Sequence, residues 1–294
     1  MQGFLFRGAT VSLVASTWSG GILDRVESDR ATHIHVVPAL LIKLTEALAA
    51  RARDVSSMRV IQSGGQRLQP ETRTRAAALF PNAIVQENFG MAEGLLMFVR
   101  LDDPDDVRLE TVGRPICADD EVRLVDEDGN DVADGEVGEF WARGPYTLRG
   151  YFRAPEHNAT AFSPDGFYMS GDLMYRHPSG NYVVAGRRKD LINRGGEKIS
   201  AEEIENLILA HPAVVLAAAV PMPDPVLGER TCACVVLREG ATLELEELVD
   251  FLRGFDLATF KLPEALRVYD ELPLSPIGKV SKKDLVAELA AERV

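Results

Sequence analysis

Residues 58–90 read MRVIQSGGQRLQPETRTRAAALFPNAIVQENFG, and their pattern indicates the fold class. An apolar strand ends in two glycines, a helical segment follows over 69–80, and a second strand-like run occupies 82–90. The preceding residues supply another strand at 32–37 and another helix at 38–52. This β–α–β–α–β order predicts a parallel sheet covered by helices. Glycines at the ends of such strands indicate ligand-binding loops at the carboxyl edge of the sheet.

The pattern changes after about residue 112. Residues 121–144 show short alternating strands and two Asp-Gly turns, which are typical of antiparallel hairpins. A compact α+β pattern begins after Lys189, where Ser200 and Glu203 have the spacing of a helix capping box. The sequence therefore predicts an α/β fold: a partial large domain, made of a parallel α/β sheet and an antiparallel β-barrel-like subdomain, and then a small α+β domain. The predicted boundaries give a partial α/β subdomain over 1–111, a β-rich subdomain over 112–187 and a mobile C-terminal domain over 188–294.

Composition excludes several classes of protein. The chain has 294 residues, 46% of them hydrophobic, and a formal net charge of −13. That charge would repel nucleic acid and anionic membranes, so we expect neither as a partner. There is no membrane-length apolar run and no signal peptide, which predicts a cytoplasmic protein. The three cysteines form neither a disulfide framework nor a zinc site. Nothing in the sequence indicates an oligomeric state.

Four motifs occur in a fixed order: NFGMAEG (88–94), YMSGDL (168–173), GRRKDLINRGGEKISAEEIE (186–205) and PLSPIGKVSKKDL (273–285). Together they resemble the adenylate-forming superfamily of acyl- and aryl-CoA synthetases, nonribosomal peptide adenylation domains and luciferases. More narrowly, the chain is similar to aryl-acid–AMP ligases of the 2,3-dihydroxybenzoate and salicylate type. The resemblance implies ATP, Mg²⁺ and a phosphopantetheine thiol as the cofactors and co-substrate.

The resemblance also implies roles on the nucleotide side. Glu93 matches the Mg²⁺ ligand, because a hard cation that bridges phosphates needs an oxygen anion. Asp172 matches the carboxylate that accepts both ribose hydroxyls, and Arg187 matches the arginine near ribose and phosphate. Lys279 matches the adenylation lysine, a cation that stabilises charge in the transition state. The adenine-side residues are Gly65, Gln66, Arg67 and Phe89, of which Phe89 could equally be a core residue.

On the acid and thiol sides, the matches are again residue by residue. The acid pocket is predicted to involve Gly64, Asn88, Gly90 and, less directly, His35. Lys189 matches the hinge about which the small domain rotates between the two reaction steps. Gly195, Gly196 and Lys198 match the loop that lines the thiol tunnel. Lys282 and Lys283 are predicted to lie on a solvated helix face.

The chain departs from the family pattern in two ways. It has no SGTTGxPK-type phosphate loop, so it resembles only the C-terminal part of these enzymes, and we expect poor adenylation by this chain alone. The other departure is Asn88, where the dihydroxybenzoate and salicylate ligases usually have an apolar residue. Its amide predicts an acid with an extra polar group, such as a hydroxypicolinate or an amino-hydroxybenzoate.

The predicted function is ATP-dependent activation of an aromatic carboxylic acid, followed by transfer to an aryl carrier protein in siderophore or peptide natural-product biosynthesis. Two alternatives remain at the level of sequence. One is an aryl-CoA ligase, which differs in the thiol acceptor. The other is a non-catalytic fragment that docks a carrier protein.

Overall fold

The computed structural model describes residues 5–14, 19–65, 68, 70–255, 257–275 and 280–291. Three predicted site residues, Gln66, Arg67 and Lys279, lie outside this range. The described chain forms three β-sheets, which follow one another along the sequence. Within the described residues, no helix combines the length and apolarity that crossing a membrane requires.

The first sheet confirms the β–α–β–α–β prediction. Its strands are hydrogen-bonded in the order β1 to β5, with β1, β2 and β3 parallel and β4 and β5 antiparallel. The short β4 was not predicted, because three residues are too few to show an alternating pattern. Its elements are α1 (Ser19–Ser28), β1 (His33–Val36), α2 (Pro38–Ala50), β2 (Val60–Gly64), α3 (Pro70–Leu79), β3 (Ile84–Gly90), β4 (Leu96–Phe98), α4 (Asp105–Glu110) and β5 (Arg114–Pro115).

The helices of this first part bury an apolar core against the sheet. Leu23 of α1 and Leu41 of α2 pack in one cluster with Ile61 of β2, and all three are almost completely buried. Pro38 occupies the first turn of α2, where its missing N–H costs nothing. Burial of these side chains fixes the parallel register, and it thereby sets the carboxyl ends of β2 and β3 side by side.

The second sheet is antiparallel, as its Asp-Gly turns predict. The strands are paired in the order β6-β7-β8-β9. Gly129 and Gly135 in the β6–β7 connection have φ of 83° and 87°, a conformation that glycine adopts without strain. Its elements are β6 (Glu121–Val125), β7 (Gly138–Arg143), α5 (Pro155–Ala161), β8 (Tyr168–Arg176) and β9 (Tyr182–Arg187).

The third sheet confirms the compact α+β pattern after Lys189. Its strand order is β11-β10-β13-β12, and β14 pairs in parallel with β13. The elements are a 3₁₀ turn (Arg188–Asp190), β10 (Leu191–Arg194), β11 (Glu197–Ser200), α6 (Ala201–Ile208), β12 (Val214–Asp224), β13 (Gly228–Leu237), α7 (Leu245–Leu252), a second 3₁₀ turn (Thr259–Lys261), β14 (Ala265–Tyr269) and α8 (Lys282–Ala291). The exact domain boundaries stay a prediction.

Ser200 joins the second and third sheets. Its Oγ accepts a hydrogen bond from the Glu203 N–H at 3.4 Å, which confirms the N-cap, and it donates to the Ala185 carbonyl oxygen at 2.7 Å. The Glu203 carboxylate is directed to Lys261 Nζ, at 2.7 and 2.8 Å, rather than completing the capping box. A Cβ on Gly186 would lie 2.5 Å from Ser200 Oγ, so this close approach requires a glycine.

Candidate active site

A cavity of about 980 Å³ brings together six of the nine predicted nucleotide and acid residues that the structure describes, and Gly64, His35 and Glu93 are not in its described lining. Its volume lies at the upper end of the range for small-molecule sites. The first sheet contributes Asn88, Phe89 and Gly90 at the end of β3, and the 3₁₀ turn after β9 contributes Lys189. The remaining predicted residues in its lining are Gly65, Asp172 and Arg187.

Asp172 and Arg187 form the charged centre of this cavity. They are register partners on β8 and β9, and Arg187 Nε lies 2.6 Å from Asp172 Oδ1. The Asp172 side chain is only 7% exposed, and this burial raises its pKa, while the Arg187 charge opposes the increase. Arg187 thus orients the Asp172 carboxylate. A carboxylate that accepts hydrogen bonds from two neighbouring hydroxyl groups needs such a fixed orientation.

Phe89 combines the two roles that the sequence left open. The ring lies edge-on to Phe140, with centroids 5.7 Å apart and an angle of 70° between the planes. It packs against a core cluster that includes Phe140 and Tyr182. Phe89 is nevertheless only partly buried and also borders the cavity. Its place in the core therefore leaves part of the residue at the cavity, where an adenine would lie in the predicted mode.

Asn88 and Gly64 are register partners on the parallel strands β3 and β2. A Cβ added to Gly64 would lie 2.1 Å from Asn88 Oδ1, so the glycine provides the space that the amide occupies. Asn88 is 8% exposed, and its Nδ2 has no hydrogen-bond partner among the described residues. A buried donor without a partner is costly, which makes Asn88 a polar position available to a ligand at the cavity wall.

Gly90 and His35 are placed differently from Asn88. Gly90 ends β3 in an exposed position, and a Cβ there would lie 2.4 Å from Leu96 Cδ2. His35 is exposed on β1, in register with Gln62, whose amide donates to Gln86 Oε1 at 2.8 Å. Gly90 belongs to the described lining of the cavity, and His35 does not.

Glu93 is held by residues to which the sequence analysis assigned no role. The Tyr151 hydroxyl donates to Glu93 Oε1 at 2.7 Å, and it lies 3.1 Å from the Tyr168 hydroxyl. Tyr168 is the first residue of the YMSGDL motif, whereas Tyr151 lies in the stretch LRGYF (148–152), outside the four motifs. The contact between Tyr151 and Glu93 spans 58 residues of sequence.

The donor set around Glu93 fits a magnesium–phosphate complex rather than an all-protein metal site. No group of three or more Asp, Glu, His or Cys side chains converges anywhere in the part of the chain that the structure describes. Mg²⁺ is commonly held by one or two carboxylates, with water and substrate phosphates filling the other positions. Glu93 can supply that single carboxylate.

A buried ion pair links β3 to α3. Glu87 Oε2 lies 2.5 Å from Arg73 Nη2 of α3, and Glu87 Oε1 accepts a hydrogen bond from the Leu68 N–H at 3.0 Å. The two charged side chains are 3% and 7% exposed. Glu87 therefore ties β3 to Leu68 and to Arg73 of α3. The contact was not predicted, because Glu87 stands between Gln86 and Asn88 in the strand and its partners lie 14 and 19 residues away in the sequence.

The predicted thiol-tunnel residues lie away from the cavity. Gly195 and Gly196 form the β10–β11 turn with φ of 59° and 97°. Lys198 pairs with Glu127, in the β6–β7 connection of the second sheet. None of the three belongs to the described lining of the cavity. Lys189, the predicted hinge, is exposed in the 3₁₀ turn between the second and third sheets.

The prediction that Lys282 lies on a solvated face is wrong. Its Nζ lies 2.8 Å from Glu205 Oε1 and 3.9 Å from Asp190 Oδ2, and its side chain is 25% exposed. Burial raises the pKa of Glu205, and the Lys282 charge opposes that increase. Lys282 thus neutralises a buried acid and links α8 to α6. Lys283 is exposed, as predicted.

Comparison with known proteins gives the family. Residues 1–152 match the AMP-binding enzyme model, and residues 203–279 match the model for the AMP-binding enzyme C-terminal domain. A salicylyl-CoA synthase / salicylate adenylyltransferase of a Streptomyces species is 50% identical over 96% of this chain and 51% of its own length. The 2,3-dihydroxybenzoate-AMP ligase of Bacillus subtilis is 44% identical over 96% of this chain and 52% of its own length.

Structural comparison gives the same result. The crystal structure of ATP-bound MatB from Rhodopseudomonas palustris superposes with a TM-score of 0.88 at 30% identity, covering 98% of this chain and 56% of the other. The chain thus spans about half the length of the relatives it matches. Its sequence nonetheless matches the first family model over more than half of its residues, and the second model covers much of the rest. This chain belongs to the AMP-binding enzyme family.

Proposed function

We propose that the protein containing this chain activates an aromatic carboxylic acid as an aryl-AMP and then transfers the aryl group to a thiol. In the first step a carboxylate oxygen attacks the α-phosphorus of ATP and pyrophosphate leaves. In the second, the thiol sulfur attacks the acyl carbon, AMP leaves and the thiol proton is lost. The observation that supports this most directly is the oriented Asp172–Arg187 pair, which shares one cavity with the buried amide of Asn88.

The described residues divide the work of binding. Asp172 would accept the ribose hydroxyls, and Arg187 fixes the orientation of that carboxylate. Phe89 would border the adenine, while Gly64 and Gly90 leave room for Asn88 and for a ring. Mg²⁺, when bound, neutralises charge on the phosphates, and Glu93 would hold it.

The proposed acid carries a hydrogen-bond acceptor on or in its ring. Among the described residues, Asn88 Nδ2 has no hydrogen-bond partner, and satisfying this donor on binding would favour such an acid over one with a plain ring. A hydroxybenzoate, a hydroxypicolinate or an amino-hydroxybenzoate meets this need, because a hydroxyl oxygen or a ring nitrogen can accept from the amide. The proposal follows from the amide alone and does not select among these three.

The proposed thiol acceptor is the phosphopantetheine of an aryl carrier protein. Coenzyme A is the second candidate, since it ends in the same thiol and one relative of this chain is named a salicylyl-CoA synthase. Transfer assays with radiolabelled acid, offering holo carrier protein and CoA separately, distinguish the two by which thioester forms.

Equilibrium binding tests the proposed site without requiring turnover. Non-hydrolysable aryl-sulfamoyl adenosines mimic aryl-AMP, and calorimetry on the 294-residue chain gives their affinities. We expect salicyl and 3-hydroxypicolinyl analogues to bind more tightly than the benzoyl analogue, and all of them to bind more tightly than AMP. Binding no stronger than that of AMP, from a folded sample, would contradict an aryl-adenylate site. A chain that binds holo carrier protein but no analogue would instead be a docking fragment.

A further inference from the structure

A chain of two hydroxyl groups leads to Glu93. Tyr151 Oη lies 2.7 Å from Glu93 Oε1 and 3.1 Å from Tyr168 Oη. A phenol has one proton, and an ionised carboxylate can only accept hydrogen bonds. The Tyr151 proton therefore goes to Glu93, and Tyr168 must be the donor to Tyr151. The direction of both hydrogen bonds is fixed.

Tyr151 is itself firmly held. Asn158 binds the Tyr151 backbone twice, accepting from its N–H at 2.7 Å and donating to its carbonyl oxygen at 2.9 Å. The Tyr151 ring also lies against the rings of His157 and Phe162, with centroid distances of 4.7 and 6.3 Å. Because its backbone and ring are both fixed, the Tyr151 hydroxyl is a fixed point for the Glu93 carboxylate.

The Glu93 segment is fastened to the same stretch of chain a second time. The Leu148 N–H donates to the Glu93 carbonyl oxygen at 2.7 Å. With the main chain held by Leu148 and Oε1 held by Tyr151, the carboxylate has little rotational freedom. No described residue donates to the other oxygen, Oε2, which is the oxygen left for a cation.

We propose that Tyr151 is a positioning residue, which orients the Glu93 carboxylate toward a phosphate-bound Mg²⁺, and that Tyr168 supports it. This inference depends on the proposed function, which is what places a nucleotide at Glu93. Groups that hydrogen-bond to a metal ligand typically change metal affinity by about 10- to 100-fold when they are removed. Tyr151 has this relation to Glu93, and Tyr168 is one hydrogen bond further away.

The test measures how much Mg²⁺ tightens ATP binding to the 294-residue chain. Calorimetry gives the Kd for ATP in EDTA and in excess MgCl₂, and the ratio of the two values is the readout. We expect Tyr151→Phe to reduce this ratio about tenfold and Tyr168→Phe to reduce it less. Tyr175→Phe, which removes a hydroxyl elsewhere on β8, is the matched control and should leave the ratio unchanged. Thermal unfolding of each variant confirms that it is folded.

Each outcome has a definite meaning. If the ratio of the two Kd values is unchanged in Tyr151→Phe, the proposal is wrong. Equal weakening of ATP binding with and without Mg²⁺ is one such result, and it would mean that the role of Tyr151 is only structural. A wild-type chain in which Mg²⁺ does not affect ATP binding would contradict it as well, because no metal is then oriented at Glu93. The aryl-sulfamoyl adenosines carry no β- or γ-phosphate, so their binding tests the proposed function separately.

Discussion

The residues around Asp172 and the residues of the β10–β11 turn were assigned to two steps of one reaction, yet the structure treats them differently. Asp172, Arg187 and Asn88 border one cavity, and the first two are fixed by a short ion pair. Gly195 and Gly196 form an exposed turn outside its described lining, and nearby Lys198 pairs with the exposed Glu127. The structure therefore places the residues proposed for adenylate binding at one cavity and the residues proposed for the thiol path outside its described lining. In the proposed function, rotation at Lys189 would bring the second set to the cavity.

The largest expected effect is on stability, and it comes from breaking the buried ion pair between Arg73 and Glu87. Arg73→Ala removes the cation whose Nη2 lies 2.5 Å from the buried Glu87 carboxylate, so we expect a loss of about 3–5 kcal/mol in the free energy of unfolding. Urea denaturation measures it. Arg253→Ala, which breaks an exposed pair with Asp250, is the control and should change stability very little. Equal effects of the two substitutions would show that the Glu87 pair does not support this region.

A smaller effect is expected at the ribose carboxylate. Asp172→Asn removes the charge that, in the proposed function, accepts hydrogen bonds from the ribose hydroxyls, at an expected cost of about 2 kcal/mol, or roughly 30-fold in the Kd of an aryl-sulfamoyl adenosine. Calorimetry measures this Kd, with exposed Asp128→Asn as the control. If the two variants bind the analogue with the same Kd, the ribose does not lie at Asp172, and the cavity is not the adenylate site.

Gly64→Ala tests the space around Asn88. The added Cβ would displace the amide, so we expect about tenfold weaker binding of analogues whose ring carries an acceptor, the equivalent of one hydrogen bond. The matched background is Asn88→Ala, in which no amide remains to be displaced. There, Gly64→Ala should add little further loss. A tenfold loss of analogue affinity in that background would mean that the added methyl group obstructs the ring of the analogue directly.

The smallest effect on adenylate binding is expected at Lys198, next to the β10–β11 turn. Lys198→Ala changes only an exposed ion pair outside the cavity, so analogue affinity should change less than twofold. Thioester formation should nevertheless become slower, if Lys198 lines the thiol path. A large loss of analogue binding in this variant would show that the two regions are not separate.

The sequence predicted the parallel strands correctly, and it singled out Asp172 and Arg187, which the structure brings together at one cavity. The apolar periodicity of 32–90 is strong, and burial of Leu41 and Ile61 enforces the predicted pairing. Asp172 and Arg187 came from motif positions, and the β8–β9 register explains why two residues fifteen apart form an ion pair.

What the sequence did not predict is the set of long-range polar contacts. Tyr151 meets Glu93 only because a loop folds back over the end of the first sheet, and no local pattern encodes that contact. Lys282 was misassigned for a related reason. A lysine at the start of a helix is ordinarily solvated, but here it neutralises Glu205, a buried acid on another helix.

A crystal structure of the 294-residue chain with salicyl-sulfamoyl adenosine is the most direct test of the account. We predict that both ribose hydroxyls lie within hydrogen-bond distance of the Asp172 carboxylate and that the salicyl hydroxyl accepts from Asn88 Nδ2. The Gly195–Gly196 turn should remain outside the cavity. An analogue bound elsewhere, or with its ring directed away from Asn88, would contradict the assignment of this cavity as the aryl-adenylate site.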